Sequence, residues 1–223
     1  MDKKGMISAS MMCADLIHLK KHKKLFEENK IEYLHIDIMD GDFVPNLGLG
    51  VDYVRGLREL TDIPLDLHFM VTRPDEKLGW FGIKENDRII IHYESTNQLQ
   101  RTLEKAKTYG AKVMLALNPG TAIYVIEEVL DYIDGITVLT VNPGFAGQKI
   151  VASSIKKVGK LKNYLNEMGY QNMDIEVDGN ISFENAEKLR LLGANIFVAG
   201  TSSIFRKDGD MGGNIARLRK SIQ

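Results

Sequence analysis

The residue types that can do chemistry lie at the ends of short apolar segments that are typical of β-strands. Residues 32–39 form such a segment, and because side chains alternate across a strand, His35 and Asp37 share one face of it. His68 lies near the end of a second segment, and Asp178 follows a third, directly before a glycine. Two imidazoles and two carboxylates are suitable ligands for Zn²⁺, Mn²⁺ or Fe²⁺. If the fold brings these four side chains together, they predict a site for a divalent metal ion.

Each of these side chains also has a purely structural interpretation. An imidazole at a strand end is often a hydrogen-bonded structural group, and for His92, which ends another apolar segment, we favour that role. The structural interpretation is weaker for His35 and Asp37, since two inward-facing ionisable groups must be paired or must bind something.

Three further ionisable residues have different expected environments. Asp66 would face the same way as His68 and could orient a ligand histidine through a hydrogen bond. His18 and His22 lie on a lysine-rich helical segment, where we expect solvent to surround both of them.

Glycine-rich loops after the last three predicted strands indicate a phosphate site. Their residues are Gly144, Phe145, Ala146 and Gly147 within 142–148, then Gly179 with Asn180, and finally Gly200 and Thr201 within 200–203. Glycine frees backbone N–H groups, and a helix N-terminus behind such a loop favours an anion. Barrels commonly bind phosphate near strands seven and eight. Each loop alone could be an ordinary turn, but together they favour a phosphorylated ligand.

A metal ion, two carboxylates and a bound phosphate together favour proton transfer. The sequence has no serine or cysteine with an obvious neighbouring base, no strand-end lysine suited to a Schiff base, and no dinucleotide fingerprint. A metal on a carbonyl and its adjacent hydroxyl would acidify the neighbouring C–H bond and stabilise an enediolate. Asp37 and Asp178 could then remove a proton from one face and return one to the other, which inverts the configuration.

The elements that must position these groups alternate along the whole chain. Patterns typical of strands cover residues 6–10, 32–39, 65–71, 88–92, 112–117, 136–141, 173–177 and 196–199. Helical patterns cover residues 16–26, 51–57, 75–83, 95–109, 121–132, 149–168, 183–192 and 214–222, the fourth with a capping-box signature at Ser95 and Gln98. This alternation predicts an α/β fold, a (β/α)8 TIM barrel forming a single domain over residues 1–223. An open doubly wound sheet is the alternative.

Composition narrows the class of partner. The 29 basic and 30 acidic residues among 223 are mixed along the chain, so no electrostatic footprint for nucleic acid or an anionic membrane stands out. We therefore expect a small-molecule ligand and neither a nucleic-acid nor a membrane partner. Cys13 is the only cysteine and cannot form an internal disulfide, and no apolar run approaches the roughly 20 residues that span a bilayer. These features predict a cytoplasmic protein.

Five motifs in order along the chain resemble the ribulose-phosphate 3-epimerase family. They are His35-Ile-Asp-Ile-Met-Asp-Gly41 with Phe43-Val-Pro-Asn46, His68-Phe-Met-Val71 with Pro74, Val141-Asn-Pro-Gly-Phe-Ala-Gly-Gln148, Glu176-Val-Asp-Gly179 and Val198-Ala-Gly200. The resemblance covers essentially the whole chain. It implies a sugar-phosphate substrate, homo-oligomers and one divalent metal ion, which could be Zn²⁺, Mn²⁺, Fe²⁺, Co²⁺ or Mg²⁺.

The resemblance also implies roles for individual residues. It makes His35, Asp37, His68 and Asp178 the metal ligands, with Asp37 and Asp178 also the acid and base, and leaves His92 outside the metal site. It further implies that Ser10 contacts the substrate and that Met39 and Met70 line the enediolate site. The residues implied to hold phosphate are Gly144, Phe145, Ala146, Gly147, Gly179, Asn180, Gly200 and Thr201.

The details of the motifs bear on the substrate. Epimerases that act on pentulose phosphates usually have Pro-Ser, Gly-Phe-Gly-Gly and Asp-Gly-Gly where this chain has Ala9-Ser10, Gly-Phe-Ala146-Gly and Asp-Gly-Asn180. Four segments are closer to the allulose-6-phosphate 3-epimerase branch, namely Ser10-Met-Met-Cys13, Met70-Val-Thr-Arg-Pro74, Phe145-Ala-Gly147 and Gly200-Thr-Ser202. Leu139 stands where a third active-site methionine is common, which changes the shape of the apolar cap.

Three functions follow, in order of preference. The first is C3 epimerisation of D-allulose 6-phosphate to D-fructose 6-phosphate, and the alternative is D-ribulose 5-phosphate to D-xylulose 5-phosphate. The third is a non-catalytic sugar-phosphate-binding barrel, against which the intact carboxylate pair argues. Glycines in the loop 142–148 suggest that it closes over the substrate as a lid.

Overall fold

Eight parallel strands close into a barrel. The computed structural model describes residues 3–223, and within that range the strands pair in chain order, with the last strand closing on the first. The strands are β1 (Met6–Ser10), β2 (Tyr33–Met39), β3 (Leu65–Met70), β4 (Arg88–His92), β5 (Lys112–Leu117), β6 (Gly135–Leu139), β7 (Asp174–Asp178) and β8 (Ile196–Ala199). This confirms the predicted (β/α)8 barrel over the open doubly wound sheet, whose edge strands would stay unpaired.

Helices connect the strands and cover the outside of the barrel. They are α1 (Leu19–Glu28), α2 (Val51–Leu60), α3 (Pro74–Lys77), α4 (Leu99–Lys107), α5 (Ala152–Glu167), α6 (Phe183–Leu191) and α7 (Met211–Ser221). Because all strands are parallel, the loops that follow them meet at one end of the barrel. Across residues 3–223, none of the helices combines the length and the apolar character needed to cross a bilayer.

The connection between β5 and β6 is a 3₁₀ helix, Ile123–Tyr132, where the sequence predicts an ordinary helix. Its buried residues Ile123, Ile126 and Val129 recur every three positions, which is the repeat of a 3₁₀ helix. Their β-branched side chains also lower the preference for α-helix. The element is therefore present where predicted but is wound more tightly.

The predicted capping box at Ser95 is wrong. Residues Tyr93–Ser95 form a short 3₁₀ turn, in which the Ser95 hydroxyl donates to the carbonyl of His92 over 2.7 Å. Helix α4 begins only at Leu99, after Gln98. Since the Ser95 side chain is used by the strand end before it, it does not cap the helix.

The two faces of β2 follow the predicted alternation. Leu34, Ile36 and Ile38 pack into the hydrophobic layer between barrel and helices, whereas His35 and Asp37 are buried in the barrel interior. The interior is filled below the site by Ile90, Met114, Ala116, Leu139 and Ile196. Leu139 belongs to this apolar cluster and lies beside Asp178 on the neighbouring strand.

One histidine on α1 has a different environment from the predicted one. His18 is exposed, as expected, but His22 is buried, with its ring 6.0 Å from that of Phe26 and 5.9 Å from that of Phe205. Burial lowers the pKa of His22. The prediction failed because Phe205, from the segment after β8, covers this turn of the helix.

Candidate active site

Four side chains from three strands converge at the carboxyl end of the barrel. Nε2 of His35 lies 3.2 Å from Nδ1 of His68, and an oxygen of Asp37 lies 3.3 Å from each of these nitrogens. An oxygen of Asp178 lies 3.7 Å from the His35 nitrogen and 3.5 Å from that of His68. The strand alternation on β2, the end of β3 and the end of β7 thus produce the cluster predicted from the sequence.

Asp66 orients one histidine of the cluster from below. Its Oδ2 lies 2.9 Å from Nδ1 of His35 and also accepts a hydrogen bond from the Ser8 hydroxyl over 2.7 Å. An ionised carboxylate can only accept, so Nδ1 of His35 carries a proton, and Nε2 is the nitrogen that would give its lone pair to a cation bound in the cluster. This is the orienting contact expected of Asp66.

The cluster has more negative charge than its imidazoles balance. Burial alone would oppose protonation of His35, but Asp37 and the other nearby carboxylates raise its pKa well above the usual value. Burial raises the pKa of Asp178, and Asp37 beside it adds to the effect. Burial would also raise the pKa of Asp37, but His35 and His68 outweigh it and lower that pKa. Two crowded carboxylates in a buried site favour a bound cation.

The donor set fits a divalent metal ion. The ligand atoms of His35, Asp37, His68 and Asp178 all lie within 4.8 Å of one another. Two nitrogens and two carboxylate oxygens suit a transition metal better than Ca²⁺, which prefers oxygen ligands. A second group, His35 with Asp66 and Glu176, is equally close, but there the histidine nitrogen is already hydrogen-bonded to Asp66.

A cavity that opens to solvent lies above the cluster. All the residues predicted to contact substrate or phosphate line it, together with both candidate acid–base carboxylates: Ser10, Asp37, Met39, Met70, Gly144, Phe145, Ala146, Gly147, Asp178, Gly179, Asn180, Gly200 and Thr201. His35 and His68 lie beneath its floor, fully buried. Met12, Cys13 and Ser202 also line it. In the sequence, their segments serve only to compare substrate branches, and no contact role is predicted for these three residues.

An apolar cap covers one side of this cavity. Met39, Val44 and Met70 are buried together, with Met12 and Phe43 packed against them. Val44 and Phe43 come from the loop after β2, which belongs to the family motif but for which no role in the apolar cap was predicted from the sequence. Apolar side chains at this position exclude water from the groups that would exchange a proton.

The glycine loops approach the cavity in backbone conformations that require glycine. Gly144 has φ +113° and Gly179 has φ +114°. A Cβ at Gly179 would lie 2.5 Å from a methyl of Val141 and 3.0 Å from the Thr140 hydroxyl. Asn180 follows in the left-handed region and donates to the carbonyl of Gln148 over 2.6 Å. The loops after β6 and β7 are thus tied together beside the cavity.

His92 lies next to the cluster but outside it. Its Nε2 is 2.8 Å from Nε2 of His68, and burial lowers its pKa to about 4. As predicted, it is not a member of the candidate metal group. Its neighbour Glu94 was missed, although the spacing of a histidine and a glutamate two residues apart at a strand end is visible in the sequence.

Known proteins resemble this chain in sequence over nearly all of its length. The model of the Ribulose-phosphate 3 epimerase family matches residues 6–205. The chain is 40% identical over 204 residues to the chloroplastic ribulose-5-phosphate-3-epimerase of Arabidopsis thaliana, covering 91% of this chain and 72% of that protein. It is 38% identical over 202 residues to the ribulose-phosphate 3-epimerase of Bacillus subtilis, covering 91% and 93%.

Solved structures at lower identity share the fold. The 3-hexulose-6-phosphate synthase of Salmonella typhimurium superposes with a TM-score of 0.70 at 12% identity, covering 97% of this chain and 98% of that one. KGPDC from Streptococcus mutans gives a TM-score of 0.70 at 15% identity over 98% and 97%. At these identities the likeness supports the barrel alone.

The family match also decides between enzyme and binding protein. Relatives that match more than nine-tenths of this chain are named as epimerases, so the prediction of an isomerase is confirmed over that of a non-catalytic barrel. On the family model, on these relatives and on the motifs that surround the cavity, the chain belongs to the ribulose-phosphate 3-epimerase family.

Proposed function

We propose that this chain epimerises a ketose phosphate at C3, with D-ribulose 5-phosphate and D-xylulose 5-phosphate as its substrate pair. The observation that carries the proposal is the cluster of His35, Asp37, His68 and Asp178 at the floor of a cavity ringed by glycine loops. The sequence alone favoured D-allulose 6-phosphate, whereas the names of the relatives support the pentulose phosphate. Metal-dependent epimerisation is common to both.

Asp37 and Asp178 are the proposed acid and base. They stand on β2 and β7, which are separated in the barrel by β1 and β8, so the two carboxylates reach the cavity from different sides. One takes the proton from C3 and the other delivers a proton to the opposite face of the planar enediolate. The configuration at C3 is thereby inverted.

The four clustered side chains are the proposed ligands of one divalent metal ion. When bound, the ion supplies a positive charge that stabilises negative charge on the substrate oxygens. Asp66 holds His35 in the tautomer that presents Nε2 to the cluster. Met39 and Met70 keep water away from the planar intermediate.

The rim of the cavity is the proposed phosphate site. Its backbone N–H groups lie in the loops that contain Gly144 to Gly147, Gly179 with Asn180, and Gly200 with Thr201. Such loops bind an anion through oriented N–H dipoles. Ser10 lies 3.5 Å from Asp37 through its hydroxyl and is the proposed contact for a substrate hydroxyl.

A hexulose phosphate is the second candidate substrate. The residues behind the resemblance to the allulose-6-phosphate 3-epimerase branch, among them Met12, Cys13, Ala146 and Ser202, line the cavity itself. Their side chains therefore shape the space that a hexulose or a pentulose phosphate would fill. Leu139 lines the same cavity and supplies an apolar side chain where a methionine is common in the family.

The decisive experiment is C3 deuterium exchange. Purified protein loaded with Zn²⁺, Mn²⁺, Fe²⁺, Co²⁺ or Mg²⁺ is incubated in D₂O with ribulose 5-phosphate and, separately, with allulose 6-phosphate, and exchange is followed by NMR. We expect deuterium at C3 of the preferred substrate and a loss of exchange after chelation. Absence of exchange with both sugars, in every metal form, would refute the proposal. Faster exchange with allulose 6-phosphate would move the assignment to the hexulose branch.

Homo-oligomerisation, a cytoplasmic location, the absence of nucleic-acid and membrane partners, and a mobile lid at 142–148 stay predictions.

A further inference from the structure

Two residues stand in line behind His68, on the side away from the candidate metal group. His92 ends β4, and its Nε2 lies 2.8 Å from Nε2 of His68. On the other side of the same ring, Nδ1 of His92 lies 3.3 Å from Oε2 of Glu94. The side chains of both histidines are fully buried. The three side chains form a line from the loop after β4 to the metal group.

The two imidazoles are arranged for one hydrogen bond between them. Their planes differ by 16° and their centroids are 5.0 Å apart, while their nearest nitrogens are 2.8 Å apart. The rings therefore meet edge to edge. Two ring nitrogens at this separation share one proton, because two N–H groups would clash and two lone pairs would repel.

Glu94 determines which atoms donate and which accept along this line of hydrogen bonds. Its Oε1 already accepts the backbone N–H of Asn118 over 3.1 Å and the hydroxyl of Thr121. An ionised carboxylate accepts only, so Nδ1 of His92 must donate to it. Nε2 of His92 then has the lone pair and accepts the Nε2–H of His68.

This order of hydrogen bonds determines which nitrogen of His68 is free to bind in the metal group. With its proton on Nε2, the ring turns the Nδ1 lone pair towards Nε2 of His35, 3.2 Å away, and Asp37, 3.3 Å away. A cation bound among these atoms would remove the repulsion between the two nitrogen lone pairs. We propose that Glu94 and His92 are positioning residues that set the tautomer of His68 for metal binding. The inference rests on the metal site of the proposed function and deepens it.

A carboxylate then orients each of the two ligand histidines, one directly and the other through a second histidine. His35 is oriented directly by the carboxylate of Asp66 at 2.9 Å. His68 has no carboxylate on its outer nitrogen and is oriented by Glu94 through His92. The Phe43 ring lies 4.9 Å from the His92 ring, centroid to centroid. It excludes water that could otherwise accept the hydrogen bond of His68 in place of His92. Partners of this kind typically change metal affinity about 10- to 100-fold.

A purely structural role for Glu94 is the competing explanation. Glu94 also supports the loop after β5, whose carbonyls at Asn118, Pro119 and Thr121 accept from the Lys157 ammonium. Loss of Glu94 could therefore act by loosening this loop. Thr121→Val removes one of the loop's contacts to Glu94 and leaves the line to His68 intact, so it is the matched control.

The first test needs no variant. NMR of the full-length, ¹⁵N-histidine-labelled protein loaded with Zn²⁺ reports which nitrogen of each ring carries a proton. We expect His92 protonated on Nδ1 and His68 protonated on Nε2. A proton on Nε2 of His92 would overturn the proposal.

The second test is the isosteric variant Glu94→Gln. The amide oxygen should take the position that faces Asn118 and Thr121, so the amide NH₂ faces His92 and reverses every hydrogen bond in the line. Competition with a chromogenic chelator should then show Zn²⁺ affinity weakened at least about tenfold, whereas Thr121→Val keeps wild-type affinity. Unchanged affinity in Glu94→Gln, or an equal loss in Thr121→Val, would contradict the inference. A protein with these tautomers and affinities but no C3 exchange would refute the proposed function alone.

Discussion

The side-chain amide of Asn46 donates a hydrogen bond to the backbone carbonyl of Gly144 over 2.7 Å. Asn46 belongs to the loop after β2, and Gly144 to the loop after β6, so the contact crosses the mouth of the barrel. A Cβ at Gly144 would lie 3.1 Å from Cβ of Val44, which shows how closely the two loops pack. The candidate phosphate loop is thus held by the segment that also supplies the apolar cap.

Asn46→Ala should weaken substrate binding. Loss of one hydrogen bond costs about 0.5–1.5 kcal/mol, so we expect KM for the ketose phosphate to rise roughly twofold to tenfold. Steady-state kinetics give KM, and hydrogen exchange should show faster exchange in residues 142–148. The neighbouring side chain of Leu47 is exposed, so Leu47→Ala is the control. Equal KM and exchange in wild type and Asn46→Ala would contradict the prediction.

Much of the site was predictable because it depends on strand periodicity. Alternation along β2 places His35 and Asp37 on one face whatever the details of packing, and parallel strands bring their carboxyl ends together. The glycine loops were recognisable by composition. These local rules predicted the candidate metal group and the glycine loops around the cavity, whereas Ser10, Met39 and Met70 were implied by the resemblance to the family.

Other features depend on contacts that no local pattern encodes. The burial of His22 requires Phe205, from the far end of the chain. The orientation of His68 requires the ring of His92 from the next strand and the carboxylate of Glu94 beyond it. The preference for a sugar chain length depends on the shape of the cavity, which small differences such as Ala146 alter and which no local sequence rule describes.

Asp37→Asn and Asp178→Asn should each abolish most of the epimerase activity. A lost acid or base typically lowers the rate about 10²- to 10⁴-fold. The measurement is C3 deuterium exchange at saturating metal, with bound metal quantified for each variant. Asp52 on α2 is exposed and pairs with Arg55 on the same helix, so Asp52→Asn should keep wild-type exchange. A metal-loaded Asp178→Asn protein with wild-type exchange would remove Asp178 from the mechanism.

Gly179→Ala should destabilise the protein and weaken phosphate binding. A side chain there is strained at φ +114° and would meet Val141 at 2.5 Å. Such strain costs about 1–3 kcal/mol. Gly56 in α2 has open space around it, so Gly56→Ala should instead stabilise by about 0.5–1 kcal/mol. Denaturant unfolding gives the free energy of unfolding of both variants. An unchanged value for Gly179→Ala would show that the loop can rearrange without a loss of stability.

Asp40 should contribute stability that disappears in acid. Partial burial would raise its pKa, but the N–H groups of Phe43 and Asp42, each 3.0 Å away, and the Lys77 ammonium outweigh burial and lower that pKa well below 3.8. A depressed pKa in the folded state stabilises the protein above pH 3.8, and the benefit is lost as pH falls below it.

We therefore expect Asp40→Asn to lower the free energy of unfolding by about 1–3 kcal/mol at pH 7. The difference from wild type should shrink as the pH is lowered through the acid range. Urea unfolding between neutral and acid pH measures it, with Asp42→Asn in the same loop as the control. A difference that does not depend on pH would assign the effect of Asp40 to packing.

Arg88 and Glu176 form a buried polar layer beneath the metal group. We expect substitutions of the two residues to lower the free energy of unfolding by very different amounts. The Arg88 guanidinium lies 3.7 Å from the ring centroid of Tyr33, and one of its nitrogens lies 3.6 Å from Glu176. Burial raises the pKa of Glu176 well above its usual value, and Asp66 beside it adds to the effect. These effects favour the neutral form of Glu176, whereas His35 and Arg88 lower the pKa of Asp66 against the effect of burial. We therefore expect the charge that Arg88 balances to be on Asp66.

Glu176→Gln preserves a neutral group of the same shape, so we expect it to change the free energy of unfolding by less than about 1 kcal/mol. Arg88→Met leaves the Asp66 carboxylate without its buried cation and should cost about 3–5 kcal/mol. Arg206, a half-buried arginine at the surface paired with Asp208, supplies the control Arg206→Met, which should unfold much as the wild type does. If Glu176→Gln were as damaging as Arg88→Met, Glu176 would have to be ionised, and the buried charge would be shared by both carboxylates.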